Sequence, residues 1–211
     1  MVEKIVFFGR NKDYKITQLC FMELLKYIKG THHQVVAAVV SDDNHGVSDT
    51  LEAIAKKSGI NWLSVKANDI NDSAFVAKLV DLKPTLFIVV QFPGIFKARL
   101  LNLPERGAFN LHRGWPLRGG SIDERAVYYK LPVYNVILHY LNLGIDSGNI
   151  VGKIGFKLSS KEDGYSLVKK TDRVGREVFV KYFLPIISNR MPKGNKQILK
   201  ETIYGAKGSL C

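Results

Sequence analysis

Three apolar runs decide the fold of this chain: IVFF at residues 5–8, QVVAAVV at residues 34–40 and LFIVV at residues 86–90. Each run is short, apolar without alternation and rich in β-branched or aromatic residues, which is typical of a strand buried on both faces. Strands of this kind occur in parallel sheets that helices cover. The three runs therefore predict an α/β protein.

The segments between these runs predict helices. Apolar residues at helical spacing indicate a helix over residues 16–28, closed by Gly30. Further helices are expected over residues 49–58, with Asp49 or Ser48 as its cap, and over residues 73–82, with Asp72 as its cap. A short strand is expected over residues 62–65. This alternation predicts a doubly wound, mostly parallel sheet, which binds ligands at the carboxyl ends of its strands.

The second half of the chain changes character. We predict strands over residues 108–111, 133–141 and 150–158, helices over residues 122–130 and 165–183, and a Gly/Pro-rich loop over residues 113–121. After Pro185 the sequence becomes polar and rich in Lys and Gly, which favours an irregular segment. The predicted organisation is one domain over residues 1–188 followed by a short basic tail over residues 189–211.

Composition limits the class of protein. The chain has 211 residues, of which 46% are hydrophobic and 24% charged, as in ordinary globular domains. This excludes disorder, collagen-like repeats and coiled coil as descriptions of the chain. Its two cysteines, Cys20 and Cys211, exclude a disulfide scaffold and favour a cytoplasmic setting. The apolar run near the N-terminus spans only four residues, so we expect neither a signal peptide nor a membrane span.

The formal net charge of +12 is concentrated in residues 151–211, which contain 13 basic and 5 acidic residues. A basic half could favour phosphates, nucleic acid or an anionic membrane surface. Lysines that are simply solvated explain the same charge. Both interpretations stay open, and charge alone does not predict nucleic-acid binding.

Asn110 and His112 are the first candidate site. In an extended strand side chains alternate between faces, so these two residues lie on the same face, opposite Phe109 and Leu111. An amide there can donate to a carbonyl oxygen that is gaining negative charge. An imidazole can take or return a proton near neutral pH. Taken alone, the pair can equally be two incidental polar residues at the end of a strand.

Two further elements follow along the chain. Asp146 lies in the turn LGIDSG at residues 143–148, where glycines allow a sharp backbone turn close to a ligand. A carboxylate there could orient an imidazole, or it could simply bond its own turn. The loop WPLRGG at residues 115–120 lies next to the Asn110–His112 pair, and Arg118 in it could hold an anion or the loop itself.

Together, in this order, these elements resemble the formyltransferase family that uses formyl-tetrahydrofolate. That family carries Asn-x-His, then a loop with Pro and Arg-Gly, then an Asp in a Gly-x-Asp-x-Gly turn. The resemblance covers about residues 1–188 and implies a Rossmann-like catalytic domain. Where the family commonly has His-Pro-Ser or His-Pro-Gly, this chain has His112-Arg113-Gly114.

The resemblance implies transfer of a formyl group from N10-formyltetrahydrofolate to a primary amine, without a metal. Asn110 and protonated His112 would stabilise the oxyanion, and Asp146 would orient the imidazole and help to relay the proton. The same analogy assigns folate to the exit of the third run and to the Asp146 turn. The residues so assigned are Gln91, Phe92, Pro93, Gly94, Ile95, Leu143 and Gly144.

Three amines are acceptors in this family. Glycinamide ribonucleotide enzymes carry a Ser/Gly-rich phosphate loop after the first strand, where this chain has Gly9-Arg10-Asn11-Lys12. Methionyl-tRNA enzymes carry a further C-terminal domain, for which this chain is expected to have no room. Nucleotide-linked (dTDP or UDP) amino sugars, as in polysaccharide synthesis, are therefore favoured. The predicted substrate contacts are Arg10, Lys12, Trp115 and Arg118.

An interpretation of another class stays open: the chain could be a non-catalytic basic module that binds nucleic acid. It lacks an aromatic RNA-binding motif or a zinc knuckle, so no nucleic-acid partner is expected. No metal-ligand cluster is expected either. A homodimer is left open.

Overall fold

The computed structural model describes residues 2–11, 15–42, 50–159 and 162–205. The strands are β1 Lys4–Gly9, β2 Gln34–Ser41, β3 Trp62–Val65, β4 Leu86–Val90, β5 Ala108–Trp115, β6 Leu117–Gly119, β7 Val133–Tyr140, β8 Ile150–Lys157 and β9 Ile203–Gly205. The helices are α1 Lys15–Ile28, α2 Leu51–Lys57, α3 Ser73–Asp81, α4 Ala98–Leu101, α5 Ile122–Tyr128, α6 Gly164–Val178 and α7 Leu184–Ser188.

Seven strands form one sheet in the order β3-β2-β1-β4-β5-β7-β8. The strands from β3 to β5 pair in parallel, and β7 and β8 are added antiparallel. The strand order reverses between β1 and β4, because the chain returns there to extend the other edge of the sheet. The predicted α/β fold, with a doubly wound and mostly parallel sheet, is confirmed.

Both faces of the sheet are buried, which explains why the deciding runs lack alternation. Phe7 and Ile88 point to one face, where α1 and α6 complete a hydrophobic core. Phe8 and Phe87 point to the other face, where α3 covers them, and their rings meet edge to face at 4.9 Å. A strand inside such a three-layer arrangement has no solvent face on which polar residues would be favoured.

The elements up to β4 agree with the predicted bounds to within two residues, but the predicted helix caps differ. Thr50 is the N-cap of α2, and its side chain accepts a hydrogen bond from the Ala53 amide. The predicted caps Ser48 and Asp49 lie outside the described residues. Asp72 does precede α3, but its side chain makes no capping hydrogen bond.

The prediction of a loop over residues 113–121 was wrong. Strand β5 continues to Trp115 because β7 pairs with it along Phe109 to Trp115, and β6 follows because β9 pairs with it. These hydrogen bonds come from segments far along the chain, so the local Gly/Pro content does not reveal them. The predicted long helix is also divided: α6 ends at Val178, a π-helical turn spans Phe179–Phe183, and α7 continues to Ser188.

The segment after α7 is more ordered than its composition predicts. Asn195 forms an antiparallel bridge with Ile150 at the start of β8. A 3-10 turn spans Leu199–Glu201, and β9 pairs in parallel with β6. We call residues 195–205 the C-terminal segment. It lies beside the loop between β7 and β8, so it contributes to the site described next.

Within the ranges that the structure describes, no helix combines the length and apolar character needed to cross a membrane.

Candidate active site

Asn110, His112 and His139 are brought together by the pairing of β5 with β7. Asn110 and His112 share one face of β5, as alternation predicts, and His139 on β7 is in register with Asn110. The preceding parallel strand, β4, ends at Val90, opposite Leu111. The three side chains therefore lie at the carboxyl edge of the parallel strands, where doubly wound sheets bind ligands.

Asp146 reaches this group from the loop between β7 and β8. Its Oδ2 lies 3.5 Å from His112 Nδ1 and accepts a hydrogen bond of 3.1 Å from the Gly119 amide. Its Oδ1 accepts a hydrogen bond of 3.2 Å from Asn110 Nδ2. The predicted amide, imidazole and carboxylate thus meet, although 36 residues separate Asn110 from Asp146.

The carboxylate of Asp146 is kept ionised by its neighbours. Burial raises the pKa of this group, but the His112 ring, the His139 ring, the Gly119 amide and Arg118 together outweigh burial. The pKa of Asp146 therefore lies below its ordinary value. Removing any of these neighbours would raise the pKa of Asp146, because fewer groups would then counteract the effect of burial.

The hydrogen bonds of His112 fix where its protons lie. Nε2 is 2.8 Å from the Leu117 carbonyl oxygen, which can only accept, so Nε2 carries a hydrogen. Nδ1 faces the Asp146 carboxylate, which also accepts. A second proton, at Nδ1, would therefore lie between the ring and the carboxylate, and this pair can hold or release it.

His139 is a residue of the site that sequence reasoning missed. Its Nδ1 donates to the Tyr140 carbonyl at 2.8 Å, which leaves Nε2 to accept from Asn110 Nδ2 at 3.2 Å. Desolvation by burial lowers the pKa of His139 from 6.5 to about 4, despite the nearby Asp146 carboxylate. This ring is therefore neutral near pH 7. The available signal was its position in β7, the second strand after the one that carries the Asn-x-His pair, but its register with Asn110 depends on pairing that the sequence does not show.

A cavity of about 670 Å³ opens in front of these side chains. Its volume is within the usual range for small-molecule sites. Asn110, His112 and Asp146 line it, and so does Arg10. All seven residues assigned to folate by resemblance line it as well: Gln91, Phe92, Pro93, Gly94, Ile95, Leu143 and Gly144.

Two of the other predicted substrate contacts, Trp115 and Arg118, have different roles. Trp115 and Arg118 are not part of the cavity wall: Trp115 Nε1 donates to Gln197 at 3.2 Å, and Arg118 binds Thr202 and the Ile145 carbonyl. Lys12 lies outside the described residues. Arg113, which sequence reasoning did not select, lines the cavity and forms an ion pair of 3.0 Å with Asp123.

The arrangement fits proton transfer next to a carbonyl group. An imidazole–carboxylate pair can move a proton, and an adjacent amide can donate to an oxygen that gains charge. The apolar side chains of Phe92, Ile95 and Leu143 offer a wall for a flat aromatic ring. Among the described residues, no three His, Cys, Asp or Glu side chains are grouped to hold a metal ion.

The fold and the site together describe a doubly wound α/β protein. In it, Asn110, His112 and Asp146 meet at the carboxyl edge of the sheet. No family model matches the chain. A methionyl-tRNA formyltransferase from Buchnera aphidicola subsp. Acyrthosiphon pisum is 26% identical over 213 residues, covering 95% of this chain and 65% of that relative. The chain thus spans about two thirds of that relative's length.

Solved structures share the fold. The N-formyltransferase from Helicobacter canadensis, solved with folinic acid and dTDP-3-aminofucose, superposes with a TM-score of 0.76 and 21% identity over 98% of this chain and 71% of that one. A phosphoribosylglycinamide formyltransferase from Anaplasma phagocytophilum superposes with a TM-score of 0.74 and 14% identity, covering 97% of this chain and 98% of that one. The chain is thus similar in sequence to methionyl-tRNA formyltransferases and shares its fold with solved formyltransferases.

Proposed function

We propose that the chain transfers a formyl group from N10-formyltetrahydrofolate to the primary amine of a nucleotide-linked amino sugar. The observation that carries this proposal is the contact of His112 and Asn110 with Asp146 at the edge of the cavity. The proposal is also supported by the N-formyltransferase from Helicobacter canadensis, whose structure was solved with folinic acid and dTDP-3-aminofucose.

The lining of the cavity supports folate as the donor. A pterin is flat and apolar on its faces and polar on its rim, so it needs apolar walls and backbone partners. Phe92 and Leu143 offer apolar walls, and Gln91 and Gly144 line the cavity next to them. When bound, folate supplies the formyl carbon. The side chains of the protein would orient the reactants, transfer the proton and stabilise the developing charge.

The proposed reaction balances without an enzyme-bound intermediate. The amine nitrogen forms a bond to the formyl carbon, the bond from that carbon to N10 breaks, and the proton lost by the amine ends on N10. The ionised Asp146 carboxylate is the group that receives the amine proton, directly or through water. Its lowered pKa keeps it ionised at neutral pH.

Asn110 and His112 act on the formyl oxygen in this proposal. A proton on His112 Nδ1 places positive charge beside the oxygen as negative charge develops there. Asn110 Nδ2 makes two hydrogen bonds of 3.2 Å, to His139 and to Asp146. These bonds use both N–H groups of the amide, so in this proposal one of them is exchanged for a bond to the formyl oxygen when substrate binds.

Two arginines at the cavity wall support an anionic acceptor. Arg10 follows β1 and lines the cavity, and Arg113 lines it from β5. A diphosphate is recognised by such guanidinium groups. Glycinamide ribonucleotide carries a phosphate and is the second candidate, supported by the superposition of the Anaplasma phagocytophilum phosphoribosylglycinamide formyltransferase on this chain. Methionyl-tRNA is the third candidate, favoured by the sequence relatives.

A panel of acceptors tests the proposal. The purified chain is incubated with formyl-tetrahydrofolate and, separately, with dTDP- and UDP-linked amino sugars, glycinamide ribonucleotide and methionyl-tRNA. Release of tetrahydrofolate is followed, and the formylated product is identified by mass spectrometry. We expect turnover of one or more amino sugars and loss of turnover in His112→Asn. Turnover of another acceptor alone would reject the sugar assignment. Salt-dependent nucleic-acid binding without any formyl transfer would reject the enzyme itself.

A further inference from the structure

The loop that carries Asp146 has a backbone conformation that needs outside support. Asp146 has a φ of 47°, in the left-handed region that residues other than glycine rarely adopt. Inside the loop, Asn142 Oδ1 accepts hydrogen bonds from the Gly144 amide and the Ser147 hydroxyl. None of these bonds holds the carbonyl groups on either side of the carboxylate, so other segments must hold them.

Gln197 in the C-terminal segment holds two of these carbonyls. Its Nε2 donates to the Asp146 carbonyl at 3.1 Å and to the Gly148 carbonyl at 2.7 Å. Its Oε1 accepts from Trp115 Nε1 at 3.2 Å. Carbonyl oxygens only accept and an indole N–H only donates, so one amide orientation satisfies all three partners. Only 5% of Gln197 is exposed, so water cannot readily replace these bonds.

The rest of the C-terminal segment is bound to the strand on the other side of the carboxylate. Arg118 Nε donates to Thr202 at 2.8 Å, while its Nη1 donates to the Ile145 carbonyl at 3.0 Å. Strand β9 pairs with β6, whose Gly119 amide donates to Asp146 Oδ2. A Cβ at Gly119 would lie 2.2 Å from the Gly205 carbonyl oxygen, so the two strands are in close contact. Backbone and carboxylate of Asp146 are thus both held next to the C-terminal segment.

We infer that Gln197 is a positioning residue, which fixes the Asp146 carboxylate beside His112 through the backbone of the loop between β7 and β8. This inference rests on the proposed function for its effect on turnover, but not for its effect on the geometry. Gln197 does not line the cavity and therefore acts through Asp146. The C-terminal segment is, on this inference, part of the working site and not an appendage.

The test replaces Gln197 with Met, which has a similar length and cannot donate to the two carbonyls. We expect Gln197→Met to lower kcat about 10- to 100-fold, with the KM for formyl-tetrahydrofolate within about twofold, because a small displacement of a catalytic group is enough. The acid limb of the kcat profile moves to higher pH, because a carboxylate displaced from His112 loses a neighbour that lowers its pKa. Lys200→Met, on the exposed surface of the same segment, is the control and changes neither quantity.

A second measurement does not depend on turnover. Carbon-13 NMR of the aspartate carboxyl groups, assigned with Asp146→Asn, follows the titration of Asp146 directly. We expect its midpoint to rise in Gln197→Met and, less strongly, in Trp115→Phe. The second variant removes the donor to Gln197 while keeping an aromatic ring beside Lys153, and it is used if Gln197→Met does not fold. An unchanged midpoint in the folded variants would overturn the inference. If the wild-type chain formylates no amine, the proposed function fails, and this titration still decides the role of Gln197.

Discussion

The parallel and antiparallel parts of the sheet bury polar groups in different ways. In the parallel part, from β1 to β4, Ser41 is buried at the end of β2 and Thr50 at the N-cap of α2. In the antiparallel part, from β5 to β8 with the C-terminal segment, His139 is buried inside β7 and Arg125 inside α5, and both bind segments elsewhere in the chain. Arg125 is 1% exposed and donates to the Ile203 carbonyl, 78 residues away.

This difference teaches where stability and chemistry come from. Apolar burial that short sequence windows encode forms the strands of the first part, while the site in the second part depends on hydrogen bonds between distant residues. When several hydrogen-bond partners must be satisfied at once, the side chains that bind them can adopt only one arrangement. A catalytic group needs such a fixed arrangement. Substitutions in the first part that lie away from the cavity should therefore change stability without activity, and substitutions of the catalytic side chains should do the reverse.

The largest effect is expected from Asp146→Asn. An amide cannot accept the amine proton, so we expect kcat to fall about 10²- to 10⁴-fold, as is usual when a general acid or base is removed. Unfolding free energy, measured with urea, should change by less than about 1 kcal/mol, since an amide oxygen can still accept from the Gly119 amide. Asp81→Asn, at the exposed end of α3, is the matched control and should leave both quantities unchanged. Activity within threefold of wild type in folded Asp146→Asn would remove Asp146 from the mechanism.

The same comparison explains how much the sequence could predict. The runs at residues 5–8, 34–40 and 86–90 carry their own signal, because a strand buried on both faces is apolar throughout. The motif residues Asn110 and Asp146 could be selected for their chemistry. The extension of β5 to Trp115 could not, because its hydrogen-bond partners in β7 are supplied only in the folded chain. Gln197 and His139 were missed for the same reason.

The next largest effect is on the pH dependence of stability, and it tests the contribution of His139. Its folded pKa of about 4 lies below the ordinary 6.5, so the unfolded chain binds the extra proton first as pH falls. Stability from this group is fully present above pH 6.5 and is lost between pH 6.5 and about 4. The loss amounts to about 3 kcal/mol, from about 1.4 kcal/mol for each unit of pKa.

Urea unfolding of wild type and His139→Asn at several pH values across this window measures that loss. The variant should show a shallower decline of unfolding free energy, whatever its stability at neutral pH. His32→Asn, in an exposed position before β2, is the control and should keep the wild-type slope. Equal slopes in all three proteins would mean that His139 takes up its proton in the folded chain as easily as in the unfolded one.

The smallest effect belongs to the parallel part, at the N-cap of α2. Thr50 is 2% exposed and its Oγ1 accepts a hydrogen bond of 3.2 Å from the Ala53 amide. Thr50→Ala leaves that amide without its partner and should lower the unfolding free energy by about 1 kcal/mol. Thr50→Ser keeps the oxygen and should lose less. Both variants should keep wild-type kcat, because α2 supplies no residue to the cavity wall. A fall in kcat together with the loss of the cap would mean that the two parts of the sheet are coupled, and that the division of roles between them is wrong.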